Sequence, residues 1–286
     1  MKSSSSQIPF ATGAPALIWQ ILFFYLPLAL IALSSFIQLS ETGEFEGLTL
    51  SHLTNFLTPT YMKVIGSSLL LAFSNACLCF MIGYPLAYFL AFSNKKYKNL
   101  LLFLLIVPFW TNFLLHIYAW FYLLEHKGLI NQLLMSLGII DTPAHLINSR
   151  FAIMIMMVYY YLPFMVLPLY SSLEKFNYSL IEASLDLGAS WSNTVRRVLL
   201  PLTSPGIRAG FFLVYIPSFG EFAIPELMGG DKFMFVGSVV AQYILGEGTG
   251  SLGSAFTLLS CAILLVSAIL LFLAIGWILN PRRHRV

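Results

Sequence analysis

The sequence predicts an all-α membrane protein: six transmembrane helices, with a cytoplasmic helix–turn–helix between the fourth and the fifth. Three observations carry this. Of 286 residues, 58% are hydrophobic and 9% charged. Soluble domains carry about a quarter charged residues, so lipid is the natural solvent for most of this chain. Six stretches approach the roughly 20 apolar residues that a spanning helix needs. The basic residues alternate from side to side between those stretches.

The first stretch covers residues 16–37. Lys2 and a serine run precede it, and no charged residue follows Lys2 until Glu41. Its apolar part exceeds the roughly 7–15 residues of a signal-peptide core, and no clear small-x-small cleavage site follows, so it is expected to be retained as a helix. The second span lies within 64–92 and the third within 100–124, both free of charge. The fourth covers 151–173, the fifth 207–228 and the sixth 252–279. The expected organisation is 1–62 for the N-terminal tail, a peripheral first helix and an extracytoplasmic segment, 63–279 for the transmembrane domain, and 280–286 for a basic cytoplasmic tail.

Charge sets the orientation. Lys2, Lys95, Lys96, Lys98, Lys175, Arg196, Arg197, Arg208, Arg282, Arg283 and Arg285 fall on alternate connections and make up 11 of the 15 basic residues. The opposite connections hold only Lys63, Lys127, Arg150 and Lys232. Cytoplasmic loops carry the excess of Lys and Arg, so both termini are expected in the cytoplasm. Cys77, Cys79 and Cys261 all sit in apolar stretches, without the spacing of a redox or zinc pair, and read as small buried helix residues.

The connection over 174–205 is too long for a turn and too polar to span. Asn177 or Ser179 can cap a short helix. Leu180, Ile181, Ala183, Ser184 and Leu187 form its apolar side, with Glu182 and Asp186 on the polar side. Gly188 ends it in the left-handed conformation that glycine enters cheaply. Ser190 opens a second helix through Trp191, Val195 and Val198, which Pro201 is expected to stop. Such a segment either docks on a cytoplasmic partner or lies on the membrane with Arg196 and Arg197 against anionic lipid.

Glu182-Ala183-Ser184-Leu185-Asp186-Leu187-Gly188, followed after nine residues by Val198-Leu199-Leu200-Pro201, resembles the "EAA" loop of ABC-importer permeases. Ser184 replaces the family's second alanine and Val198 its isoleucine. The segments 105–112, 162–170 and 220–230 look like those of spermidine/putrescine permeases. This resemblance implies the type I importer permease fold in a bacterial inner membrane. It implies that Glu182, Ala183, Ser184, Asp186, Gly188, Ala189 and Pro201 belong to a loop that docks on an ATPase. It further implies an ATPase dimer that binds ATP-Mg, a second related permease, an extracytoplasmic solute-binding protein and a polyamine cargo, with no nucleic-acid partner. No Walker A sequence occurs in this chain, so ATP is expected to bind the partner subunits; no cofactor, metal or catalytic residue is expected here.

The fifth stretch carries the clearest oddity. Glu221 lies about 20 Å along a helix from Arg208, deep inside the hydrocarbon. A charge there costs about 2.5–3.5 kcal/mol if it faces lipid, so it is expected to face a cavity or a partner. Pro217, Gly220 and Pro225 bracket it, and a break or bend is expected nearby. Two readings stay open. Glu221 attracts a cationic cargo, with Glu226 and Asp231 at the outer mouth, or it pairs structurally or is protonated. Trp110, about 18 Å beyond Lys98 on a helical count, sits beside Asn112 and either lines the pathway by cation–π attraction or packs against a neighbouring helix. At least one of Tyr159, Tyr160 and Tyr161 should point inward, and Tyr160 is taken as the candidate; His116 reads as a packing residue. A permease for another small solute is the alternative. An ion-driven carrier would not need the cytoplasmic elbow, and an intramembrane enzyme would need a motif such as HExxH or GxSxG that the sequence lacks.

Overall fold

The computed structural model describes residues 10–39, 45–246 and 250–279. The basic tail expected over 280–286, Lys2 and Glu41 lie outside the described residues. The chain is mostly helical, and four helices are long and apolar enough to cross a membrane: Pro15–Ser34, Pro59–Phe92, Arg150–Glu174 and Gly250–Ile278. Two further spans form only if a bent pair counts as one. Lys96–Trp110 and Phe113–Ser136 meet at 97°, and Trp191–Leu202 and Ser204–Phe219 at 72°. The third stretch is therefore not the straight rod its apolar run suggests, while the 72° bend falls at Thr203, where the polar connection meets the fifth.

The reasons for both breaks are local. After the Lys95–Ile106 helix, Pro108 falls at the start of a 3-10 turn, Val107–Trp110, and Thr111 and Asn112 turn extended. Asn112 then accepts a 2.8 Å hydrogen bond from the Leu114 N–H and caps the Phe113–Leu124 helix. At the other break, Pro201 does not stop its helix. The Val195–Leu199 stretch widens to a π turn in which the Leu200 N–H donates to the Val195 carbonyl. That wider turn makes room for the proline ring, which would clash with the carbonyl four residues back in a regular helix. The helix ends instead at Thr203, whose hydroxyl donates to the Leu199 carbonyl at 2.8 Å. The same device recurs at Ile21–Tyr25, a π turn just before Pro27.

The residues form two compact units. The first joins the described part of Met1–Met62 to Val239–Ala262. Its N-terminal span leaves its apolar side chains exposed, as a lipid-facing helix does, and ends at Ser34 rather than at 37. A short antiparallel ladder follows, Ile37–Leu39 on Phe45–Leu48, which an all-α expectation did not include. Phe56 is buried among Tyr61, Tyr243 and Phe256, and the two tyrosine hydroxyls lie 2.6 Å apart.

The second unit, Lys63–Ser238 with the described part of Ile263–Val286, is built on three helices. The Pro59–Phe92 helix buries a narrow stripe of small residues, Ser68, Ala72, Asn75, Ala76, Cys79, Gly83 and Ala87. The Arg150–Glu174 helix buries Ile153, Met157, Tyr161, Met165, Leu169 and Leu173, one per turn. The Ser204–Phe219 helix crosses it closely at Gly206 and Gly210: a Cβ on Gly206 would meet the Pro168 carbonyl at 2.7 Å, and one on Gly210 the Met165 carbonyl at 2.9 Å. Small residues four apart are the usual way apolar helices let their backbones approach in lipid. Of the three cysteines only Cys79 is buried; Cys77 is half-buried and Cys261 exposed, since only Cys79 falls on an inward stripe.

Candidate transport site and coupling loop

The Ser204–Phe219 helix ends at Gly220, and a second short helix, Ala223–Gly229, begins three residues later. Glu221 sits in this gap, half-buried. Its Oε1 accepts from the Ala223 N–H at 3.2 Å, so the carboxylate caps the short helix, where the positive end of the helix dipole favours an anion. Its Oε2 accepts from the Tyr161 hydroxyl at 2.8 Å. Glu221 therefore lies among hydrogen-bond donors within the protein. Gly237 lies against this gap; a Cβ there would fall 2.5 Å from the Gly220 carbonyl. Two buried hydrogen bonds hold the flanks, Asn75 Nδ2 to Ser218 Oγ at 2.8 Å and the Val236 N–H to Ser68 Oγ at 2.9 Å.

The three consecutive tyrosines divide. Tyr161 is buried and reaches Glu221. Tyr159 binds His116 Nδ1 at 2.9 Å, and His116 Nε2 contacts the Pro108 carbonyl at 2.9 Å and also Thr111. His116 thus ties the broken third stretch to the Arg150–Glu174 helix. Tyr160 packs into an aromatic group, 4.8 Å from Phe113, 5.8 Å from Phe109 and 5.4 Å from Tyr161 between ring centres. A cavity of about 140 Å³ opens beside it, lined by Phe109, His116 and Tyr159 among others. The structure thus brings Tyr160 and Glu221 together through Tyr161. It leaves Trp110 outside that group, 77% exposed, with its one ring contact among the described residues at Phe103, 6.1 Å away. Asn112 is engaged as a helix cap. Glu226 is exposed on the Ala223–Gly229 helix. Asp231 falls in the turn Gly230–Lys232, and its side chain lies outside what the structure describes.

Tyr161 is the site residue the sequence reading passed over in favour of Tyr160. The signal was present: Tyr161 continues the four-residue series of Ile153, Met157, Met165, Leu169 and Leu173. Asn75 and Ser218 were also missed, because isolated small polar residues in an apolar run announce no partner.

The polar loop folds as two short helices. Ser179–Asp186 begins with Asn177 Oδ1 accepting from the Ser179 N–H at 3.2 Å and the Ser179 hydroxyl at 2.9 Å. Gly188 follows with φ of 81°, and the chain turns into Trp191–Thr194. Ser184 Oγ and Thr194 Oγ1, 3.0 Å apart, clip the two helices together. Ile181 is buried, while Leu185, Leu187 and Trp191 are exposed. Glu182, Ala183, Asp186 and Gly188 share the exposed surface, and Ala189 is half-buried. An aromatic set, Tyr88, Phe92, Tyr178 and Trp191, seats the loop on the end of the Pro59–Phe92 helix. At the elbow, Tyr84 OH lies 3.0 Å from Thr203 Oγ1. Lys98 and Glu174 pair at 2.6 Å nearby along the chain, at the helix end that leads into this loop.

Comparison with known proteins gives a family, two relatives and two solved structures. The sequence profile of the family described as "Binding-protein-dependent transport system inner membrane component" matches residues 83–285. The chain is 41% identical over 265 residues to the spermidine/putrescine transport system permease protein PotB of Escherichia coli, covering 92% of this chain and 96% of that one. It is 37% identical over 273 residues to PotB of Haemophilus influenzae, covering 95% and 94%. A solved bacterial ABC transporter involved in the import of the acidic polysaccharide alginate has a similar chain, with a TM-score of 0.69 and 16% identity, covering 97% of this chain and 96% of that one. A second alginate transporter structure, in complex with an alginate-bound periplasmic protein, matches with a TM-score of 0.70 and 15% identity over 91% of each chain. At such identities the likeness is one of fold.

Proposed function

The chain belongs to the family of binding-protein-dependent transport system inner membrane components, and from that premise we propose that it forms half of an ATP-driven import pathway for polyamines. It is a multi-pass permease of the inner membrane. The observation that carries the cargo assignment is the 41% identity, across nearly the whole length of both chains, to a spermidine/putrescine permease. The chemistry at the gap agrees with it. A carboxylate held in a helix break, next to a tyrosine and an aromatic group, suits an ammonium group through charge and cation–π attraction.

In this proposal the Lys96–Trp110 and Phe113–Ser136 pair crosses the membrane as one bent span and Ser204–Phe219 with Ala223–Gly229 as another, giving six spans with the termini in the cytoplasm. The segment from Ser179 to Leu202 docks on an ATPase dimer that binds ATP-Mg, and Glu182, Ala183, Ser184, Asp186, Gly188 and Ala189 belong to the contact. Exposed Leu185, Leu187 and Trp191 support that role, since three large apolar side chains on a polar loop call for a partner. A second, related permease completes the pathway, and a periplasmic binding protein delivers the cargo. Glu221, Tyr160 and Glu226 line the route in this reading; Trp110, Asn112 and Asp231 are assigned to it more distantly.

The test is uptake of labelled spermidine and putrescine into proteoliposomes holding the permease pair and the ATPase, with loaded binding protein outside. The expected result is ATP-dependent accumulation of polyamine that stops when the ATPase is omitted. Accumulation without ATP hydrolysis, or none of either polyamine, would remove the assignment.

A further inference from the structure

A second exposed carboxylate stands beside aromatic side chains close to the short helix that Glu221 caps. Tyr118, Tyr122 and Glu125 follow one another at helical spacing on the Phe113–Leu124 helix and its cap. With Ile117, Phe121 and Leu227 they line a cavity of about 370 Å³. Leu227 belongs to the short helix that Glu221 caps, so this cavity and the Glu221 gap flank the same seven-residue element. Asn131 fixes the segment beyond: its side chain donates to the carbonyls of Glu125 and Ala144 at 3.2 and 3.0 Å and accepts from the Ala144 N–H at 3.0 Å. Gly229, on the same short helix as Leu227, lies against Ile153, where a Cβ would meet that side chain at 2.6 Å, so the cavity is near the start of the Arg150–Glu174 helix, the end away from the Lys98–Glu174 pair.

We propose that this cavity is an outer subsite for a primary ammonium group of a polyamine, held by the Glu125 carboxylate and the rings of Tyr118 and Tyr122. Three observations support it. Glu125 is exposed and takes no part in an ion pair among the described residues. It stands at the C-terminal cap of its helix, the negative end of the dipole, where an acid is unfavourable unless a cation sits beside it. Tyr118 and Tyr122 are 54% and 70% exposed, which leaves ring surface for a ligand. A polyamine carries several ammonium groups on a flexible chain, and two spaced carboxylates let one end bind while the other is released.

The proposal rests on the polyamine reading and adds a site to it. Its test is equilibrium dialysis of labelled spermidine against the assembled transporter in nanodiscs, without binding protein. Glu125→Gln and Tyr122→Leu should each weaken binding about two- to fivefold, the range of exposed ion pairs and cation–π contacts. Tyr122→Phe, which keeps the ring, should bind more tightly than Tyr122→Leu. Sodium chloride should weaken binding less steeply in Glu125→Gln, because one screened charge is gone. Unchanged affinity in both weakening variants would overturn the subsite. So would an affinity loss in Glu125→Gln with the salt dependence unaltered, which marks a structural effect. If Glu125→Gln fails to assemble, Tyr122→Leu against Tyr122→Phe decides alone. An unaltered transporter that imports spermidine but binds it identically in every variant sinks this subsite and leaves the cargo assignment standing.

Discussion

The carboxylate of Glu221 does two separable things: it accepts hydrogen bonds and it carries charge. Glutamine keeps an acceptor for the Ala223 N–H or the Tyr161 hydroxyl and removes the charge. Glu221→Gln should therefore leave assembly intact and lower polyamine uptake at least about tenfold, since hydrogen bonds to charged groups contribute about 1.5–3 kcal/mol. Uptake at the unaltered rate, in correctly assembled complex, would take Glu221 out of the pathway. Gly188 poses a different residue-scale question. Nothing lies within 4 Å of a Cβ built there, so a substitution meets no clash and only the backbone resists. A residue with a Cβ should lose about 1–2 kcal/mol in the left-handed conformation. Gly188→Val should thus uncouple nucleotide hydrolysis from uptake, while Gly188→Asn, which tolerates positive φ, should do so less. ATPase stimulation by loaded binding protein measures both; equal stimulation in the valine variant would remove the loop's turn from the coupling role.

Elements here are shaped by how prolines and small residues are spent. The crossing of the Ser204–Phe219 and Arg150–Glu174 helices depends on Gly206 and Gly210. Leucine at Gly210 would drive into the Met165 backbone, and overpacking of this kind costs about 1–3 kcal/mol. We expect Gly210→Leu to lower the midpoint of thermal unfolding in detergent, read by fluorescence-detected size exclusion; the same substitution at Gly220, where a Cβ meets nothing within 4 Å, should shift it less. Equal shifts would mean the crossing is not where the element's stability resides. The two π turns, each just ahead of a Leu-Pro-Leu run, show a second rule. A proline in an apolar helix need not end it when the preceding turn widens. The apolar runs of the third and fifth stretches were legible as sequence, but the 97° bend within the third and the 72° bend at Thr203 ahead of the fifth were not. Hydropathy records which residues prefer lipid and is blind to the direction in which the backbone carries them.

At the scale of the whole molecule, topology is the open physical consequence of the charge pattern. With Cys77, Cys79 and Cys261 replaced by alanine or serine, single cysteines at Leu187 and Asp141 give opposite expectations. A membrane-impermeant thiol reagent applied to intact cells should label the Asp141→Cys variant and spare Leu187→Cys, and permeabilised cells should label both. Both positions lie in polar connections, and Leu187 is 88% exposed, so access does not limit the second reaction. Labelling of Leu187→Cys from outside would invert the topology and end the coupling-loop assignment.

Composition and periodicity alone established a lipid-embedded helical protein, the position of its polar elbow and the presence of a carboxylate where none is cheap. These follow from one-dimensional quantities: apolar run length, the placement of capping and turn residues, and charge per connection. Tertiary structure alone decided that Tyr161 and not Tyr160 meets Glu221, that Pro201 lies within a helix, that Ser184 reaches Thr194, and that Asn75 supports Ser218. Each of these depends on the rotation and tilt of one helix against another. Those angles come from the packing of two surfaces at once, and the sequence of either surface does not contain them.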